Sequence, residues 1–281
     1  MPTMYAGIIG YPLAHSISPA FQQAAFDHLG LKARYLVWQT PPGHLPSIME
    51  QLRGRDHFGA NVTLPHKEEA VTLVDELDTP ARYIGAVNTI VNRDRRLYGY
   101  NTDWSGFLRS LKEDAGFKAR GSTALVLGAG GASRAVCYAL AWEGSARIII
   151  SNRTIDRSEA LAKELRGVCN KVDVLPWASQ LPPRLDLLVN CTTVGLLHTP
   201  EQNSSPVDTG QLRPPTLVLD LVYNPLETTL LKGAVQAGCK TLNGLPMLVY
   251  QGARAFECWT GKKAPEHLMR QELERALKKN G

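Results

Sequence analysis

What this chain lacks narrows its class before any motif is read. No apolar run comes near the roughly 18 residues needed to span a bilayer. Cysteines are few: the five (Cys137, Cys169, Cys191, Cys239, Cys258) are odd in number and contain no Cys-x-x-Cys pair. That excludes a disulfide framework and a thiolate zinc site, so no metal is expected. Long basic runs are absent too. The longest are pairs such as Lys262-Lys263 and Lys278-Lys279, so the net charge of +5 is dispersed, unlike the concentrated face or arm of a nucleic-acid binder. No basic segment runs into an apolar one at the start, so triplets such as Asn61-Val62-Thr63 and Asn190-Cys191-Thr192 read as chance matches to a glycosylation signal. The expectation is a soluble, cytoplasmic protein, monomer or homodimer, whose partner is a small molecule and neither nucleic acid nor membrane.

What is present is an ordinary globular composition. With 281 residues, 44% hydrophobic and 20% charged, the chain can form one large or two modest domains, each with its own core. Tyr5–Gly10 reads as a buried strand, after which Ser18 and Pro19 open a helix as N-cap and first-turn proline and Gly30 closes it. Strands are predicted over Ala33–Gln39 and Gly59–Leu64, and helices over His44–Leu52 and Glu68–Leu77. Ala86–Asn92 and Leu97–Asn101 flank the turn Arg93-Asp94-Arg95 as a hairpin. From about Arg120 the pattern becomes strict alternation. Strands are predicted at Thr123–Leu127, Ala146–Ile150, Val172–Leu175, Leu185–Asn190 and Thr216–Leu219, and helices at Ala132–Glu143 and Arg157–Leu165. Such βαβ crossovers imply a parallel sheet covered on both faces. Met247–Trp259 and Pro265–Lys278 read as helices. The predicted fold is therefore α/β and two-lobed: an N-terminal α/β domain (1–104 and 245–281, the C-terminal helices returning to the first lobe) and a Rossmann-like domain (105–244), with a cleft between them.

The glycine run Gly128-Ala129-Gly130-Gly131-Ala132 follows a strand and opens a helix, where backbone amides and the helix N-terminus can meet a pyrophosphate. The third fingerprint position holds Ser133, a departure from the Gly or Ala of the pattern. The next strand decides the cofactor. An NAD site usually carries a carboxylate there for the ribose hydroxyl. Here the strand runs into Ser151-Asn152-Arg153-Thr154, with Arg157 beyond. Two guanidinium groups and a hydroxyl suit a 2′-phosphate dianion, so NADP is the expected cofactor.

In the first lobe, four segments carry polar residues at strand exits: His15-Ser16-Ile17-Ser18-Pro19, Asn61-Val62-Thr63-Leu64-Pro65-His66-Lys67, Gly85-Ala86-Val87-Asn88-Thr89 and Asn101-Thr102-Asp103. Strand exits are where α/β proteins bind ligands. Hydroxyls and amides converging there suit a polyhydroxylated substrate, and a lysine with an aspartate supplies proton-transfer groups.

On these motifs, in this order, the chain resembles the shikimate dehydrogenases over essentially its full length. The resemblance implies a dehydrogenase that reversibly reduces 3-dehydroshikimate to shikimate with NADPH, a step toward chorismate and the aromatic amino acids. It implies that Ser16 and Ser18 hold the substrate carboxylate, that Thr63, Asn88, Asp103 and Gln251 contact its hydroxyls, and that Lys67 and Asp103 form the catalytic pair. The block Asp220-Leu221-Val222-Tyr223-Asn224-Pro225 would bring Tyr223 to the substrate and the Leu221 backbone to the nicotinamide. Gly244 falls in the family's cofactor-contacting turn, and Thr192 in its Asn-x-Thr loop. Gln251 begins a helix-borne Gln-x-x-x-Ala-Phe-x-x-Trp pattern ending at Trp259. Two departures stand out: Phe21 and Gln22 replace a common His-Asn pair, and Thr79 follows Asp78 where relatives often carry a carboxylate. Rival readings are a quinate/shikimate dehydrogenase using NAD(P), opposed by the serine pair and by Arg153 with Arg157, and a catalytically idle NADP-binding sensor, opposed by the presence of Lys67 and Asp103.

Overall fold

Hydrophobic strands in the computed structural model, which describes residues 2–14 and 16–280, assemble two separate sheets in two compact units. His15 lies outside the described residues. The first unit comprises 1–106 with Val249–Asn280, and the second Phe107–Leu248.

In chain order the first unit contains β1 (Met4–Gly10), α1 (Ser18–His28), β2 (Ala33–Gln39), α2 (Leu45–Leu52), β3 (His57–Val62), β4 (Glu76–Leu77), α3 (Thr79–Ile84), β5 (Thr89–Arg93), β6 (Arg96–Tyr100) and the start of α4 (Asp103–Arg109). Its sheet runs β2-β1-β3-β5-β6-β4. β1, β2 and β3 are parallel, whereas β5 is antiparallel to both β3 and β6. The β5–β6 connection is the Asp94-Arg95 turn with both residues at positive φ (52° and 69°), which matches the twist of the flanking strands. Ile9, Ala60, Val62 and Ile90 from the sheet pack on Leu45, Met49 and Leu52 of α2 to form the core.

The second unit continues with β7 (Thr123–Leu127), α5 (Gly131–Trp142), β8 (Arg147–Ser151), α6 (Ile155–Leu165), β9 (Val172–Val174), β10 (Leu187–Asn190), β11 (Leu217–Asp220), α7 (Thr229–Gln236) and β12 (Lys240–Leu242). All its strand pairs are parallel, in the order β12-β11-β10-β7-β8-β9. Counted within the unit this is 3-2-1-4-5-6, the doubly wound Rossmann order, with its switch point between β7 and β10. Leu125, Leu127, Leu188 and Val218 of the strands pack against Leu230 and Leu231 of α7. The unit boundary falls inside α8 (Leu245–Thr260), and α9 (Glu266–Asn280) packs on α1. Among the described residues no helix is long and apolar enough to cross a membrane.

Several local expectations are corrected. Glu68–Leu77 forms only a 3₁₀ turn at Glu69–Thr72 before β4. Val71, Thr72 and Val74 are β-branched and favour helix poorly. The chain is instead held to β6: the Asp75 N–H donates to the Leu97 carbonyl, while the Asp75 carboxylate accepts the Leu97 N–H at 2.7 Å. Ser18 is not the N-cap of α1: Ile17 occupies that position and no side chain caps the helix. The strand predicted from Ala86 begins only at Thr89. Gly85 closes α3 in the left-handed conformation (φ 67°). Ala86 to Asn88 then form an exit loop, with the Val87 N–H donating to the Lys67 carbonyl and that of Asn88 to the Tyr100 carbonyl. β4, α3, α4, α7 and β12 have no counterpart in the sequence-based expectation.

Candidate active site

In the first unit, strand exits bring together side chains far apart in sequence. Asn101 sets up one of them. Its Oδ1 accepts the N–H groups of Asp103 (3.1 Å) and Trp104 (3.4 Å), and its Nδ2 donates to the Ala86 carbonyl at 2.9 Å. These bonds satisfy amide donors at the start of α4 and place Asp103 in its first turn, where a carboxylate is favoured by the helix dipole. Lys67 Nζ donates to Asp103 Oδ2 at 2.6 Å, and Asn88 Nδ2 donates to Oδ1 at 2.8 Å. Asn88 Nδ2 also reaches Gln251 Oε1 of α8 at 3.2 Å. A buried carboxylate is tolerable only when paired and hydrogen-bonded, and Asp103 is both. Its side chain is 5% exposed against 16% for Lys67, so the ammonium is the more accessible member of the pair.

The other expected substrate contacts are less uniform. Ser18 is buried at the start of α1, near the Tyr35 hydroxyl. Ser16 and Thr63 are half-buried and, among the described residues, their hydroxyls have no side-chain hydrogen bond; Thr63 is held through its backbone N–H to the Ile9 carbonyl at 2.8 Å. Tyr223 follows β11 in the second unit. His66 is a structural residue: its buried ring bonds the Thr40 carbonyl at 2.6 Å.

In the second unit the glycine turn lies at the switch point. Gly128 has φ 107°, and a Cβ there would meet Ser133 Oγ at 2.8 Å and Thr192 Cγ2 at 3.3 Å. Ser133 is thus tucked under the turn, its hydroxyl without a hydrogen-bond partner. Gly130 is the N-cap of α5, no side chain caps that helix, and a Cβ on Gly130 would meet nothing within 4 Å. Open space over the uncapped amides of Gly131 and Ala132 fits a pyrophosphate. At the end of β8, Arg153, Thr154 and Arg157 are exposed, and Asn152 Nδ2 donates to the Thr154 carbonyl. Thr154 is the N-cap of α6 but makes no capping bond. Leu221 and Gly244 also meet: a Cβ on Gly244 would lie 2.1 Å from the Leu221 carbonyl oxygen.

Sequence reasoning missed part of this machinery. Glu201 pairs with Arg153 at 3.1 Å. Asp220, fully buried at the end of β11, accepts from Asn190 Nδ2 (2.9 Å), the Val222 N–H (3.0 Å) and Thr228 Oγ1 (2.7 Å). Burial pushes its carboxyl up to about 6 against the opposing effect of these bonds. Asn190 in turn accepts both the N–H and the hydroxyl of Thr192. Asn61, Thr89 and Thr102, which belong to the polar strand-exit segments, hydrogen-bond Asn88, whereas Tyr35, bonded to Asn61, carried no signal within its predicted strand.

Known proteins resemble the chain over nearly its whole length. Family models match residues 8–90 (shikimate dehydrogenase substrate binding domain), 110–224 (shikimate/quinate 5-dehydrogenase) and 244–274 (shikimate 5′-dehydrogenase C-terminal domain). A shikimate dehydrogenase (NADP(+)) of Methanopyrus kandleri is 45% identical over 280 residues, covering 96% of this chain and 95% of that protein. Among solved structures, a shikimate dehydrogenase in complex with NADP+ superposes with a TM-score of 0.90 at 39% identity, covering 97% of this chain and 95% of that one. The Thermus thermophilus shikimate 5-dehydrogenase in complex with NADP(H) and shikimate gives a TM-score of 0.87 at 40% identity, covering 98% and 100%.

Proposed function

The chain belongs to the shikimate dehydrogenase family, and from that premise we propose that it catalyses the reversible NADPH-dependent reduction of 3-dehydroshikimate to shikimate, a step toward chorismate. The observation that carries the reading is the Lys67–Asp103 pair, a half-buried lysine on a buried carboxylate that Asn88 also holds, Asn88 in turn bonding Gln251, among exits lined with hydroxyls. An idle nucleotide sensor would have no use for it.

The first unit supplies the substrate site. Ser16 and Ser18 grip the ring carboxylate, while Thr63, Asn88, Asp103 and Gln251 take hydrogen bonds from or to the ring hydroxyls. Lys67 Nζ gives a proton to the carbonyl oxygen in the reducing direction and is oriented by Asp103 Oδ2. Tyr223 adds a hydroxyl to the substrate contacts.

The second unit binds the dinucleotide. NADPH, when bound, supplies the hydride. The amides of Gly128 to Ala132 hold its pyrophosphate, and Asn152, Arg153, Thr154 and Arg157 receive the 2′-phosphate through planar, charge-assisted hydrogen bonds. Thr192, Leu221 and Gly244 line the nicotinamide end.

The test is NADPH absorbance with shikimate or quinate, each paired with NADP+ or NAD+. Rapid reduction confined to shikimate with NADP+ is expected. Comparable rates with quinate or NAD+ would overturn the specificity assigned to the serines and arginines. No turnover in any mixture, with NADP still bound, would overturn the activity.

A further inference from the structure

Behind the Lys67–Asp103 pair, buried side chains of the first unit form one hydrogen-bond chain whose direction follows atom by atom. The Thr102 backbone N–H lies 2.7 Å from Asn88 Oδ1. An N–H can only donate, so the NH₂ of Asn88 faces Asp103, whose carboxylate accepts. Asn61 is oriented in the same way. Its Nδ2 faces the Asn88 carbonyl at 3.4 Å, which has no proton to give, so its Oδ1 takes the phenolic proton of Tyr35 at 2.7 Å. Thr89 closes the gap: its hydroxyl accepts from Asn61 Nδ2 at 3.3 Å and donates to Asn88 Oδ1 at 3.1 Å. The donor order is thus Tyr35, Asn61, Thr89, Asn88, Asp103, with Lys67 donating to Asp103 from the other side.

These groups are shielded from water: Tyr35 is 6% exposed and Thr89 0%. In such a low-dielectric setting, aligned hydrogen bonds polarise one another, and a broken link leaves its neighbours unsatisfied. The Tyr35 ring is also braced by Trp259 (centroids 6.1 Å apart), whose indole N–H donates to the Ile90 carbonyl at 2.9 Å.

We infer that Tyr35 and Thr89 are positioning residues of this site: Tyr35 fixes the Asn61 amide that donates to Thr89, and Thr89, beside Thr102, holds the Asn88 amide against Asp103 and thereby orients Lys67. This rests on the assignment of Lys67 and Asp103 as the catalytic pair. Loss of either hydroxyl disturbs the chemical step, more strongly at Thr89, which bonds Asn88 directly.

The experiment is steady-state oxidation of shikimate by NADP+ with the full chain and four variants: Tyr35→Phe, Thr89→Val, Thr89→Ser and Lys67→Ala. Tyr35→Phe keeps the ring and is expected to lower kcat by about threefold at nearly constant KM, since Tyr35 lies two links further from Asp103 than Thr89. Thr89→Val keeps the shape and is expected to lower kcat by about tenfold at nearly constant KM. Thr89→Ser restores the hydroxyl and is expected to return kcat to within about twofold of the parent. Parent-like constants in both Tyr35→Phe and Thr89→Val, beside an inactive Lys67→Ala, overturn the positioning inference alone. Full activity of Lys67→Ala overturns the catalytic assignment instead. If Thr89→Val does not fold, Tyr35→Phe decides, and an unchanged kcat overturns the inference.

Discussion

Lys67 Nζ lies 2.6 Å from Asp103 Oδ2, joining residues 36 positions apart in the chain. Asp103 is held from its other oxygen by Asn88, so the lysine meets a carboxylate that cannot swing away. Lys67→Ala is expected to lower kcat by roughly 10²- to 10⁴-fold, the usual contribution of a general acid, with the shikimate KM little changed. Steady-state kinetics in the oxidative direction check this. A large rise in KM at intact kcat would make Lys67 a binding residue.

Cofactor choice is assigned to the exposed arginines after β8. Arg153→Ala and Arg157→Ala are each expected to raise the KM for NADP+ by about 10- to 100-fold, the scale of a lost charge-assisted hydrogen bond. The KM for NAD+, which has no 2′-phosphate, is expected to stay the same. Equal effects on both cofactors would remove these residues from the specificity site.

The backbone approach at Gly244 leaves no room for a side chain. A Cβ there would lie 2.1 Å from the Leu221 carbonyl oxygen, and a backbone atom cannot rotate aside. Gly244→Ala is expected to displace Leu221 and weaken NADP+ binding by about tenfold or more. Titration of NADP+ binding measures this. An unchanged dissociation constant would show that the Leu221 turn does not touch the cofactor.

Asp220 makes a pH prediction whose sign is the reverse of the usual carboxylate case. Its folded pKa is raised to about 6 by burial, against about 4 in the unfolded chain. Between those values the folded state holds the extra proton, so stability from this group falls as pH rises through the window. A gap of about two pH units corresponds to about 3 kcal/mol. Asp220→Asn lacks this dependence. Its unfolding free energy relative to the parent is therefore expected to rise by up to about 3 kcal/mol between about pH 4 and pH 7. Urea unfolding of both proteins across that range tests it. A constant difference would mean that Asp220 titrates normally.

Much of the fold was legible because it depends on short windows. The glycine turn at Gly128–Gly131 announces itself through the strand before it and the helix after it, and the Asp94-Arg95 reversal lies between two apolar runs. Where a short window competed with a distant partner, the reading failed. Glu68–Leu77 has helical spacing, yet Asp75 is captured by Leu97 across the sheet, and Ser18 looks like a cap, yet it is buried one residue inside the helix and Ile17 takes the cap position.

The sequence by itself determined the residue types of the site, the alternating pattern of the second unit, and the arginines in place of a carboxylate after β8, since each is a property of neighbouring residues. Only the tertiary structure decided that Asn88 would bridge Asp103 and Gln251, that Tyr35 and Thr89 would join the same chain, and that Asp220 would be sealed beneath Asn190. Those relations depend on which strands pair and which side chains lose water when they do, and no short stretch of sequence contains that information.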